Sequence, residues 1–385
     1  MAKTNSHPAP PPDALVVGEH PATYLTAALL RHKAKLRVLH STIPGEAEND
    51  RLVIINPGFF TLHPVLEPLR RKLDMTAVYG LQFLSGDPEV QSEYRSKSAL
   101  VYIASYKQVR AELSKMADGL GVELHNPKSE EHFQIHRLDE TGIDVTLGKA
   151  QVRPKVLVLG GHLPERQRRL LGLPDSWEAD IVHRYTYVKL PGAKWTDLGS
   201  RPVMPMSLNL REMLCWGWLL PGPKSLQLAV EQPVETLSRV PARELLAHWV
   251  EILRKNEVLN PKAEVPLEAA EWIDLPLAGA LAHEGVANRT LLVGPAGGFY
   301  SACTEDIYPN CWSALYAADA VKKAIKEVHL QDALQPYRYK WRTTLGDYLR
   351  GPQQNLRFLL PLVYRNQNMT TRLTESILLG KSVVR

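Results

Sequence analysis

The apolar positions of this 385-residue chain change period several times, and each change marks an element. Ala14-Leu15-Val16-Val17 is a short unbroken apolar run that stops at Gly18. Ala22–Arg31 is apolar at helical spacing, and Leu36–Leu39 is a second short run. Strand, turn, helix and strand within about 30 residues predict a βαβ unit with a parallel strand pair. Val152–Gly160 and Arg289–Gly294 read as two more buried strands ending in glycine. Gly297-Gly298 and a predicted helix over Cys311–Val328 follow the second of them.

The texture between these segments differs. Phe133–Val152 alternates like paired antiparallel strands, with a turn near Glu140-Thr141-Gly142. Ile181–Leu190 and Met213–Val230 also read as strands, and Pro241–Lys255 as an amphipathic helix. From Tyr337 onward the pattern is that of basic amphipathic helices, broken at Gly351-Pro352. Because the parallel-type elements are scattered, one domain is expected to interrupt another. The length also exceeds the roughly 250–300 residues that one core usually serves.

Composition narrows the class. Hydrophobic residues are 44% and charged residues 23%, which excludes a wholly disordered chain. Cys215, Cys303 and Cys311 cannot build a disulfide framework or a four-ligand zinc site, so a reducing, cytoplasmic setting is expected. His132 and His136 fall on a predicted strand, where four residues span about 13 Å, too far to share an ion. No apolar run approaches the roughly 18–20 residues of a membrane span. The polar, proline-rich stretch 1–12 reads as a flexible tail rather than a signal peptide. The net charge of +5 is concentrated late: from Gln331 to Arg385 there are nine Lys/Arg against three Asp/Glu. That points to an anionic surface, such as peripheral membrane contact, and no zinc-finger or RNA-binding signature supports nucleic acid.

The chemistry begins at the first βα turn, Val17-Gly18-Glu19-His20-Pro21-Ala22-Thr23. A dinucleotide-binding turn uses three glycines, for the tight turn, for backbone approach to a pyrophosphate and for close helix packing. Only Gly18 is present; His20 and Thr23 take the other places. The acid that would end the second strand and hold a ribose is also missing, and Thr42 stands there. An ordinary βα turn is the competing reading. Trp216 and Trp218 alternate on a predicted strand, so both face one side, with Gly217 on the other. They form either a wall for a flat apolar ligand or a packed core strand.

Four blocks, Gly18–Leu39, Val101–Glu123, Val156–Leu173 and Thr290–Val321, resemble successive signatures of flavin-dependent oxidoreductases. Geranylgeranyl reductases, with the related aromatic hydroxylases and flavin halogenases, are the group most resembled. Thr371–Gly380 resembles the end of the prenyl-reductase tail. The resemblance implies an α/β, glutathione-reductase-like FAD fold interrupted by an antiparallel-sheet substrate domain, plus C-terminal helices. The implied divisions are 13–60, 99–174 and 284–330 for the FAD-type domain, 61–98 and 175–283 for the substrate domain, and 331–385 for the helical region.

The resemblance also implies where FAD would lie: against Gly18, His20, Pro21, Ala22, Thr42 and Lys107 on one side. On the other would stand Gly294, Ala296, Gly297, Gly298, Phe299 and Asp306. An apolar or aromatic substrate would face Trp216, Gly217 and Trp218, with NAD(P)H as the electron donor. Several family residues are replaced. Pro295 stands for the ribityl aspartate, Glu305-Asp306 for Glu-Gly and Tyr106 for an arginine, while Leu159-Gly160-Gly161-His162 lacks its aspartate. Each lost charged hydrogen bond is worth roughly 1.5–3 kcal/mol, against about 8 kcal/mol for micromolar binding. Two expectations therefore stand: a flavin-dependent hydride-transfer enzyme, or a flavin-free relative that binds a lipid-like ligand or a protein.

Overall fold

The computed structural model describes residues 11–43, 50–127, 133–161, 165–173, 182–191, 201–276, 286–300, 307–350 and 356–383. Its first layer is a six-stranded sheet in the order Val286–Ala287, Thr290–Leu292, Val156–Leu159, Ala14–Val17, Val38–Ser41, Glu123–His125. All neighbours are parallel except the short first pair. The expected βαβ unit is its centre. The helix between the first two strands runs Pro21–Ala34, longer than the apolar spacing suggests. Pro21 presets the first helical turn, and Arg31, His32 and Lys33 favour the negative end of the helix dipole. One face of the sheet packs on this helix and on the helices Tyr106–Gly119 and Ile307–Ala324. The latter begins four residues before the expected Cys311, because Pro309 falls in the first turn, where it is tolerated. The other face is covered by three antiparallel strands, Phe133–Leu138, Ile143–Leu147 and Ala150–Val152.

The second layer is a seven-stranded sheet in the order Glu271–Pro276, Val182–Pro191, Ser225–Pro233, Trp216–Pro221, Met204–Ser207, Gly80–Leu84, Gln91–Arg95. The alternation of its strands divides two cores. One face packs against the helix Ala242–Lys255 around Trp249. The opposite face carries Trp216 and Trp218 and packs against the strands Leu52–Ile55 and Val101–Ser105 and the last helices. Residues 52–55, 76–78 and 101–105 form a small antiparallel sheet of their own.

The basic C-terminal region folds as the helices Pro336–Arg350, Leu356–Val363 and Gln367–Leu379. The last ends at Gly380 in the left-handed region, a common glycine stop. Leu356, Val363, Leu373, Ile377 and Leu378 are buried on the tryptophan face, so these two helices cap it. Phe358 and Leu362 of the cap remain exposed. Among the described residues no helix is long and apolar enough to cross a membrane. Of the N-terminal stretch expected to be a loose tail, residues 1–10 lie outside the described residues, and Pro12 is already buried.

Gly217 shows how tightly the second sheet is built. A Cβ there would lie 2.7 Å from the Trp249 ring, whose indole N–H donates to Trp218 O at 2.9 Å. The close ring approach that this glycine permits is made by the chain's own tryptophan. Gly217→Val should therefore lower stability by about 1–3 kcal/mol through overpacking, read as a lower urea midpoint with an unaltered slope. An unchanged midpoint would contradict this packing.

Candidate functional site

The first βα turn and the glycine loop after Thr290–Leu292 do meet. Gly18 has φ +123°, and a Cβ on it would sit 2.6 Å from Gly161 N, so the tight turn needs glycine. Gly294, at φ +58°, lies against His20: its Cβ would be 3.0 Å from His20 Nδ1 and 3.3 Å from Ala22 Cβ. The two bends are thus closed upon each other, with the buried imidazole of His20 between them.

Most of the main-chain amides that would greet a phosphate are already bonded. Ala22 N donates to His20 Nδ1 at 3.1 Å, and Thr23 N to His20 O at 2.9 Å. Gly294 N donates to Ser313 Oγ at 3.0 Å, Gly298 N to Pro295 O at 2.9 Å and Phe299 N to Gly294 O at 3.1 Å. A helix N-terminus holds anions through free N–H groups and its dipole. Here the imidazole serves as the N-cap in place of an external anion.

The remaining expected contacts have found partners within the chain. Thr23 fills the space of the third glycine, and the space is recovered on the neighbouring strand: a Cβ on Gly160 would lie 2.2 Å from Thr23 Cγ2. Thr42 is buried, and its amide donates to His125 O at 3.1 Å. Tyr106 lies 6.0 Å from the His20 ring, centroid to centroid, and the Arg51 guanidinium covers it at 3.8 Å. Lys107 is exposed. Burial works against the Asp50 carboxylate, but hydrogen bonds from Lys189 and Ser105, with the charges of Lys189 and Lys107, hold it below the usual range. Glu19, in the turn itself, pairs with Arg110 of the helix Tyr106–Gly119 and sets a carboxylate beside the bend. Pro21 begins the helix, and Ala296 and Gly297 lie in the closed loop turn. Asp306, Glu305, Cys303, His162 and His132 lie outside the described residues. Cys311 is buried in the core. His136 stands on a strand beside Thr146 Oγ1 at 2.7 Å, and no metal-binding group of three ligands occurs among the described residues.

The second place is the tryptophan face. Trp216 pairs across strands with Glu231, and Glu231 with Tyr185, so these three share the face. His183 stands two residues from Tyr185 on the same side. Glu231 is fully buried; Tyr300 Oη donates to its Oε2 at 2.8 Å, and His183 Nδ1 lies 2.8 Å from its Oε1. Tyr300 directly follows Phe299, so it ties the glycine loop to the seven-stranded sheet. Burial, with the hydrogen bond to Glu271, pushes the Tyr187 phenol far above its ordinary value. Burial pushes the Cys215 thiol up to about 11, which leaves it inert at neutral pH. The sequence reading did not find Glu231, His183, Tyr300 or Arg51. The available signal was a single carboxylate at an inward position of the apolar strand Ser225–Pro233.

These layers, strand orders and bends define the class: mixed parallel and antiparallel sheets of the kind found in FAD-binding oxidoreductases. The chain has the fold shared by geranylgeranyl-reductase-like proteins and the related flavin monooxygenases and halogenases. A geranylgeranyl bacteriochlorophyll reductase-like protein of Thermoplasma acidophilum superposes with a TM-score of 0.73 at 14% identity, over 94% of this chain and 91% of the other. A flavoprotein/dehydrogenase of Cytophaga hutchinsonii gives 0.67 at 14% identity, over 97% and 96%. A probable FAD-dependent monooxygenase of Pseudomonas aeruginosa gives 0.65 at 16%, over 92% and 97%. No known family description matches the sequence, and no curated protein matches it. The described residues at the two bends do not fit FAD in the pose this fold implies, because His20 and Thr23 occupy the cradle and the amides of Ala22, Thr23, Gly294, Gly298 and Phe299 are bonded internally.

His40 completes the turn. Its Nε2 lies 3.1 Å from Thr23 Oγ1, its ring stacks on Tyr24 at 4.2 Å, and Nδ1 is buried without a partner among the described residues. Burial lowers its pKa from 6.5 to about 3, against a small upward effect of the Gly18 carbonyl. The folded pKa is depressed, so the neutral imidazole's contribution is complete above pH 6.5 and lost as pH falls towards 3. At about 1.4 kcal/mol per unit, roughly 2 kcal/mol should be gone by pH 5. Urea unfolding of His40→Gln should show a smaller loss between pH 7 and 5 than the native chain; equal losses would exclude the assignment.

Proposed function

We propose that this protein keeps a flavoprotein scaffold, works without FAD in the ordinary pose, and binds a small apolar or aromatic molecule on its tryptophan face. The observation that carries this reading is the hydrogen bond from Ala22 N to the buried His20 Nδ1. The imidazole holds the helix end on which a pyrophosphate would rest. Loss of the ribose acid at Thr42 and of the ribityl aspartate at Pro295 agrees with it, as does the Glu19 carboxylate in the turn. No hydride step is assigned to the chain. The ligand face is supported by Trp216 and Trp218, whose indole N–H groups are buried without partners among the described residues. Buried indoles ordinarily find an acceptor.

The purified protein should be colourless, and titrated FAD should keep its free fluorescence. A protein that carries stoichiometric oxidised flavin, or takes it up at micromolar FAD, would sink this reading. The combined changes His20→Gly and Thr23→Gly should reopen the cradle sterically. They should still leave FAD affinity weak, because neither Thr42 nor Pro295 supplies the carboxylate that would hold the ribose or the ribityl chain.

A further inference from the structure

The seven-stranded sheet ends in two edge strands, and the chain treats them differently. An uncovered edge offers a row of unpaired N–H and C=O groups to any other strand, so edges are commonly kept short, charged or covered. Gln91–Arg95 is mostly polar, carries the Arg95–Glu93 ion pair, and is covered where Gln367 Nε2 donates to Glu93 O at 2.9 Å. The other edge, Glu271–Pro276, pairs with Val182–Pro191 in an unbroken register. Among the described residues no backbone hydrogen bond reaches its outer side. It has no lysine and no bulge. Its two carboxylates are engaged within the chain: Arg184 grips Asp274 through two hydrogen bonds of 2.7 and 2.8 Å, and Tyr187 Oη donates to Glu271. Trp272, on the same face as Asp274, is 57% exposed, with the Arg184 guanidinium 5.4 Å from its ring centroid.

The pattern of this edge is complementary to itself. Two copies running antiparallel about a two-fold axis at Ile273 set Ile273 opposite its own counterpart, Trp272 opposite Asp274, and Glu271 opposite Leu275. No like charges meet directly across the pair. Each indole then lies beside the Arg184–Asp274 fork of the second copy, where a guanidinium face suits a ring face. This register also keeps the buried faces of both sheets on one side, whereas a slip of one residue would set them on opposite sides. The contact is isologous, as a closed dimer requires. We propose that Glu271–Pro276 is a dimerisation edge, to which a second copy of this chain adds antiparallel and joins the two seven-stranded sheets into one. Pairing of two six-residue strands falls short of the roughly 1,200 Å² of standard interfaces. The dimer is therefore weak and concentration-dependent. It stands apart from the ligand and flavin readings above.

Sedimentation equilibrium of the full chain should show monomer passing to dimer with a Kd on the order of 10–100 μM. Trp272→Lys should weaken this association about ten-fold or more. Disulfide trapping locates the contact. In Ile273→Cys the two thiols meet across the axis, with Cα atoms about 4.5–5.5 Å apart, within the span of a disulfide. Mild oxidation should give a covalent dimer of this variant, scored against the native chain under the same oxidant. Glu271→Cys, offset from its counterpart by four residues or about 13 Å, should not cross-link. A native chain that stays monomeric at about ten times the upper Kd, or a dimer that Trp272→Lys leaves unchanged, would overturn the proposal. Equal cross-linking of the two cysteine variants would overturn it as well. Should Trp272→Lys fail to fold, the two cysteine variants decide the matter.

Discussion

The start of the first helix leaves peptide N–H groups without intrahelical partners, and something must satisfy them. In a dinucleotide-binding protein the pyrophosphate does so, drawn by the same N–H groups and by the helix dipole. Here the imidazole of His20 does so from within the chain, at 3.1 Å from Ala22 N. Once that bond is made, the rest of the turn is free of any need for an anion. The second bend then closes against the same imidazole, because Gly294 lies within 3.0–3.5 Å of it when a Cβ is placed there. Ser313 takes the Gly294 amide, and the loop folds its later amides onto its own carbonyls.

The substitutions around the turn are consistent with one another. Thr23 in place of glycine would collide with its neighbouring strand, were that neighbour not Gly160. The small residue stands on the strand rather than on the helix. The Thr23 hydroxyl lies 2.8 Å from Gly18 O and 2.7 Å from His20 O, binding the bend to itself. His40 adds a third contact from the second strand and stays neutral through burial. The side chains of His20, Thr23 and Ser313 satisfy backbone groups of the two bends.

Much of the fold was legible because it depends on local pattern. The run Ala14–Val17, the helical spacing that follows, and the alternation through Phe133–Val152 each belong to one element, and the structure contains all three. The resemblance to flavin-dependent oxidoreductases was legible from the glycines at 18, 294 and 298, which the backbone requires irrespective of the ligand: all three have positive φ. Closure of the cradle was not legible, since a histidine after a strand looks alike whether it points to solvent or caps a helix. The small sheet made by residues 52–55, 76–78 and 101–105 was missed, because pairing between segments some 25–50 residues apart leaves no local period. Glu231, His183 and Tyr300 were missed for the same reason. Their meeting is set by the register Trp216–Glu231–Tyr185 and by a loop arriving from another layer.

That meeting bears on how the two layers relate. Here Tyr300 reaches from the glycine loop to Glu231 and makes the junction directly. The carboxylate sits where the sheet and the loop meet, held by His183 from the sheet and by Tyr300 from the loop. Closure of the first turn by His20 and the buried Glu231–His183 pair are therefore separate matters. The first follows from the first helix's need for a cap. The second has no such structural necessity: a core built only for packing would be served by apolar side chains at 183 and 231.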